Sequence, residues 1–172
     1  MFIIRYFFLS LILICCTSIG WIISKKYKDR VIELKILQNA LLIMQNKIKF
    51  TRKPLQEIFN EISKLDNNQI ISVIFYKIGE KLKIKKIGQS IDEAFKEEKS
   101  WISLKEKDIK IFKNIGNMLG KTDVEGQMDE INQVKLLLDK QIEEAELEEK
   151  KNCKMYKSLG TIVGLMIMIL LF

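Results

Sequence analysis

Apolar residues are spread unevenly along this chain. Two uncharged, strongly apolar segments, residues 6–24 and 159–172, lie at its ends. Every acidic residue lies between them, and so does every basic residue except Arg5. Within the intervening stretch nothing alternates apolar and polar with a clear period of two, whereas several runs repeat near 3.6. Val31, Leu34, Leu41 and Ile48 recur at heptad-like spacing, which predicts a helix running straight on from the first apolar segment. Pro54, the only proline, suits the first turn of a second helix. Its face is Leu55, Ile58, Phe59, Ile62 and Leu65, and Asp66-Asn67-Asn68 punctuates it. Ile70, Ile71, Ile74, Phe75 and Ile78 form the next face, ending near Gly79. Residues 81–88 read as a basic connector, with Leu82-Lys83-Ile84-Lys85 as a faint strand signal.

Three capping boxes follow, each a Ser or Thr with Glu three residues on. Ser90 and Glu93 start a short helix. Ser103 and Glu106 start one that buries Leu104, Ile111, Phe112, Ile115 and Leu119. Thr122 and Glu125 start a long one that buries Val124, Met128, Ile131, Leu138, Ile142 and Ala145 and runs toward the second apolar segment. Residues 87–99, Trp101 and Leu104 are expected to pack as one corner. The fold class is all-α: about six antiparallel helices in a bundle, bracketed by N- and C-terminal transmembrane helices.

The first apolar segment has 19 residues without a charge and covers about 28 Å as a helix, close to the ~30 Å of a hydrocarbon core. A cleaved signal peptide is the rival. Its apolar core would be shorter, about 7–15 residues, and Thr17-Ser18-Ile19-Gly20 makes a poor cleavage site. An uncleaved anchor is the favoured reading. The second segment covers only about 21 Å. Met155–Ser158 would lengthen it, with Lys157 snorkelling outward and Tyr156 at the interface. It is apolar all round, and no amphipathic stripe survives for a water-facing side. Lysines crowd the inner edge of each segment: Lys25, Lys26, Lys28 and Arg30 after the first, Lys150, Lys151, Lys154 and Lys157 before the second. Basic residues favour the cytosolic side, so the loop is expected in the cytosol and both termini outside. The division is then an anchor at 1–24, a cytosolic helical bundle at 25–157 and a second membrane segment at 158–172. Gly160 and Gly164 form a GxxxG that permits close helix approach in lipid; a kink at the same residues is the competing reading.

The chemistry is sparse. The chain has no histidine, and its three cysteines are not spaced as a zinc site. Glu143-Glu144 and Glu148-Glu149 are contiguous pairs that splay over a helix surface. Gly116 and Gly120 enclose three residues before Lys121-Thr122 where a P-loop needs four, and they follow a helix rather than a strand. No catalytic residue, cofactor or metal is expected, and an enzyme is not. The net charge of +7 is concentrated at the membrane edges, so anionic lipid is the expected charged partner and nucleic acid is not.

The chain resembles the stage III sporulation protein AB family along its whole length. Leu119-Gly120-Lys121-Thr122-Asp123-Val124-Glu125-Gly126-Gln127 looks like that family's LG-x-[ST]-D-x-x-x-Q signature. Lys53-Pro54-Leu55-Gln56-Glu57 looks like its TPL-x-E element, with Lys in place of Thr. The stretch from Tyr156 to Leu165 is similar to its Y-x-SLG-x-x-x-GL ending. The resemblance implies a subunit of the channel complex linking mother cell and forespore, in the mother-cell membrane, with a cytosolic domain similar to those of the type II secretion platform protein. It implies a secretion-type ATPase and other channel subunits as partners, with a second copy of the chain as a further candidate. A polar surface at Lys121, Asp123, Gln127 and Glu130 is a candidate contact; the alternative is that Asp123 and Gln127 only fix a helix junction. A membrane-tethered scaffold unrelated to sporulation is the competing function.

Overall fold

A computed structural model describes residues 2–51, 53–65, 68–117, 119–120 and 123–171. Six α-helices and no strand occur among them. Helix α1 spans Phe2–Thr51 without a break. No proline interrupts it, and Pro54 disfavours helical geometry in the residue before it. The expected continuation from apolar segment to loop is therefore present. The last helix, α6, is similarly continuous over Val124–Leu171. Each of the two contains a stretch long and apolar enough to cross a membrane. The chain divides into two compact units, one of Met1–Val31 with Glu144–Phe172 and the other Ile32–Glu143.

In the second unit, α1 buries Leu34, Leu37, Leu41, Met44 and Ile48. That spacing of three and four is the seam of a coiled coil. The facing stretch of α6 buries Ile131, Val134 and Leu138 at the same rhythm. Gln45 donates to Asn132 at 3.0 Å, and Gln38 to Asp139, so the two stretches run antiparallel. Val124 and Met128, expected in the core, are only half-buried, because the seam of α6 begins at Ile131.

Helices α2 (Leu55–Leu65) and α3 (Gln69–Lys81) form a hairpin. Pro54 stands just before α2, and its carbonyl accepts the first helical bonds from Glu57 and Ile58. Asn68 caps α3, its Oδ1 accepting from Ile70 and Ile71 at 3.1 and 3.2 Å. Asp66 and Asn67 of the expected punctuation lie outside the described residues. Helix α3 ends at Lys81, two residues past Gly79. A Cβ on Gly79 would stand 2.3 Å from Asn60 Oδ1, which would have to turn aside, and 3.3 Å from the Gln56 carbonyl, so glycine eases the close approach of α2. Leu65 points to solvent, since α2 ends before another turn can bring it inward.

Helices α4 (Ile87–Glu97) and α5 (Glu106–Lys113) complete this unit, with a 3₁₀ turn at Asn114–Asn117. The faint strand signal at Leu82-Lys83-Ile84-Lys85 is a helical turn instead; the Leu82 and Lys85 amides bond back to Ile78 and Lys81. Ser90 does not start α4. It is buried within the helix and its hydroxyl donates to the Lys86 carbonyl. The box expected at Ser103 and Glu106 is displaced by two residues: the Asp108 carboxylate accepts from the Lys105 amide at 2.9 Å. Ile109 takes the buried place expected for Ile111, and Trp101 stands 71% exposed, outside the expected corner. Four phenylalanine rings link these helices through the core: Phe59 to Phe75 at 6.1 Å, Phe75 to Phe112 at 6.1 Å and Phe112 to Phe95 at 5.8 Å.

Candidate functional site

The expected contact surface begins α6. Gly120 has φ +73°, the left-handed conformation that ends a helical segment and that glycine adopts without steric cost. Asp123 follows as the cap of α6: its Oδ1 accepts from the Gly126 amide at 3.2 Å, and its carbonyl accepts from Gln127. Thr122, expected to cap this helix, and Lys121 lie outside the described residues. Asp123 is exposed, and Gln127 and Glu130 are half-buried. Positions four and seven residues after the cap share one face, so these three form a polar stripe. No group of three or more acidic or sulfur-bearing side chains suited to a metal occurs among the described residues. The stripe can present hydrogen-bonding groups; it holds no arrangement for bond chemistry.

The two glycines of the second apolar segment lie in the first unit, against α1. A Cβ on Gly160 would stand 2.8 Å from the Cys16 carbonyl and 3.1 Å from the Gly20 Cα. A Cβ on Gly164 would meet Leu13 at 2.9 Å. Gly20, absent from the sequence-based candidates, is the complement: its Cβ would stand 2.6 Å from the Tyr156 carbonyl. Cys16, Gly20 and Ser24 recur every fourth residue, a small-residue stripe that could have flagged it. The approach continues in polar pairs. Ser24 and Cys153 meet at 2.6 Å, and Arg30 donates to Glu148 at 2.9 Å. Tyr27 stacks on Tyr156 with centroids 5.8 Å apart. Partners on α6 descend in number as those on α1 rise, so the pair is antiparallel. Phe7, Ile14 and Trp21 on α1, and Ile162, Met166 and Ile169 on α6, remain more than half uncovered. Each set lies on one helical stripe, an apolar surface suited to lipid.

In the second unit, buried Glu33 of α1 accepts from the Ser103 and Leu104 amides at 2.8 and 3.1 Å, fixing the segment before α5. Half-buried and exposed ion pairs cover the outside. Lys47 and Lys53 hold the Glu61 carboxyl down to about 2, and Lys77 and Lys81 do the same to Glu97. Lys85 and then Lys81 lower Glu93. These pairs link α2 to α1, and α3 to α4.

The comparisons with known proteins converge. The family model described as stage III sporulation protein AB matches residues 5–172. The stage III sporulation protein AB of Bacillus subtilis (strain 168) is 29% identical over 164 residues, covering 93% of this chain and 94% of its own. A solved structure of a stage III sporulation protein AB (SpoIIIAB) superposes with a TM-score of 0.64 at 21% identity, over 72% of this chain and 98% of that one. At that identity the structural likeness speaks for the fold.

Proposed function

Because the chain belongs to the stage III sporulation protein AB family, we propose that it serves sporulation as a fixed membrane platform, holding a secretion-type ATPase at the channel complex between mother cell and forespore. Membership makes it a sporulation protein, which leaves a scaffold unrelated to sporulation without support. The family is one of sporulation proteins rather than of enzymes.

The antiparallel helix pair carries the platform reading. Two apolar segments that pack antiparallel through Gly20 and Gly160 would enter and leave a bilayer on the same side. Lysines beside both segments favour the cytosolic face for residues 25–157 and the outside for both termini. A helical body attached through two spans stays at the membrane, where it can hold an ATPase and pass its motion to other channel subunits or to a second copy. The polar stripe of Asp123, Gln127 and Glu130 is one surface offered to them.

The test is flotation of the purified secretion-type ATPase with liposomes carrying the full chain. Co-flotation that empty liposomes do not support is expected, and deletion of the gene is expected to abolish spores. An ATPase left in the soluble fraction would overturn the docking role.

A further inference from the structure

Helices α4 and α5 carry the same pattern on their facing sides. On α4 it is Asp92, Phe95 and Lys96, with Lys99 in the turn that follows; on α5 it is Glu106, Ile109, Lys110 and Lys113. In each, an acid is followed at three, four and seven residues by an apolar residue and two lysines, the spacing of a helical stripe. The stripes line a cleft of about 400 Å³. Phe95 and Ile109 close its floor. The acids pair across it: Asp92 with Lys113, and Glu106 with Lys99 at 2.6 Å. Asp92 is shared with Lys96 at 2.7 Å, and Lys110 has no carboxylate partner among the described residues. Four ammonium groups therefore share two carboxylates, and the excess positive charge sits at Lys96 and Lys110. Lys96 is 72% exposed and the Glu106 end of the Lys99 pair 83%, so these pairs exchange readily for incoming carboxylates.

We propose that the α4–α5 cleft docks an acidic peptide segment of a partner protein, with Lys96 and Lys110 receiving its carboxylates. The cleft is short, and Asp92 and Glu106 stand within it. A phosphate backbone running through would meet both acids, whereas a few clustered carboxylates fit between them. Long-range attraction would give the contact a fast, salt-sensitive association. The proposal deepens the platform reading and rests on it for the existence of a docked partner.

The test uses the full chain in nanodiscs of zwitterionic lipid. The probes are a fluorescent nonapeptide of glutamate and leucine, an oligonucleotide and the purified ATPase. The variants are K96E/K110E and, as a control on α6, K135E; unchanged melting temperatures establish that both fold. The double variant is expected to weaken peptide binding roughly ten-fold, and K135E to leave it unchanged. Equal loss in K135E, or tighter binding of the oligonucleotide than of the peptide, would overturn the proposal. ATPase binding that K96E/K110E leaves intact would overturn the cleft as its site while sparing the platform reading. Cleft-dependent peptide binding without ATPase binding would sustain the cleft and remove the ATPase from the account.

Discussion

The two units of this chain achieve contact by opposite means. In residues 32–143 the core is made of large side chains, four phenylalanine rings in tilted and edge-to-face contact among isoleucine and leucine. In the helix pair the helices approach backbone against backbone at Gly20 and Gly160, where side chains are missing. Each suits its surroundings. In water, burial of apolar surface drives association, so bulk inside is favourable. In lipid the tails are as apolar as leucine, so close approach and polar contacts must hold helices together. A large side chain thus strengthens one unit and would separate the other.

The largest expected effect is in the phenylalanine core. Phe112→Ala removes the ring that joins Phe75 to Phe95 and is expected to cost about 3–5 kcal/mol. Phe7→Ala, on the uncovered side of the helix pair, should cost far less. Thermal melts of the full chain in detergent, followed by circular dichroism, would compare them; equal losses would break the contrast. Next is Glu33→Ala, which leaves the Ser103 and Leu104 amides without their acceptor and is expected to cost about 1–3 kcal/mol. The same melts would read it.

Gly160→Leu places a side chain where no space exists and is expected to cost about 1–3 kcal/mol of helix pairing. Ser24→Cys would report it, because Cys153 stands opposite and oxidation should join the two. High cross-linking in the otherwise native chain, and low yield once Gly160→Leu is added, is the expected pattern. Gly88→Ala is the contrast. Its Cβ would meet nothing within 4 Å, so melting should be unchanged or slightly raised.

The smallest effect is electrostatic and belongs to the helical body. Glu61 and Glu97 ionise near 2 when folded, below the ordinary 4.5. Their contribution is fully present above about 4.5 and is lost as pH falls toward 2. Glu97 is exposed and Glu61 only half-buried, so a modest drop in melting temperature over that window is expected, shrinking at high salt. Glu61→Gln with Glu97→Gln should flatten the dependence; a drop unchanged in that variant would assign it to other groups.

Much of the fold was legible because long periodic faces dominate local detail. The seams of α1 and α6, the faces of α2 and α3 and the two unbroken end helices all follow from apolar spacing. Helix starts were harder. Ser90 and Ser103 sit three residues before glutamates, yet burial of Ile87 pulls the start of α4 forward, and Glu33 takes the Ser103 amide from a helix distant in sequence. A local pattern cannot register a partner 70 residues away. At the candidate site, Gly120 and Asp123 could be placed as a helix junction from their types alone. Gly20 escaped notice because one glycine in an apolar run looks incidental until its partner helix is known. The cleft pattern on α4 and α5 was also present in the sequence, but only packing shows that the two stripes face each other.

The platform account depends most on both ends of the chain lying outside the membrane. In a chain with Cys15, Cys16 and Cys153 replaced by alanine, one cysteine is added before residue 1 or after residue 172, and the chain is expressed in non-sporulating cells, whose membrane faces the medium, and exposed to an impermeant maleimide on intact cells. The account predicts labelling at both ends without permeabilisation, and protection of a cysteine placed at Trp101. Labelling of either end only after permeabilisation would contradict it.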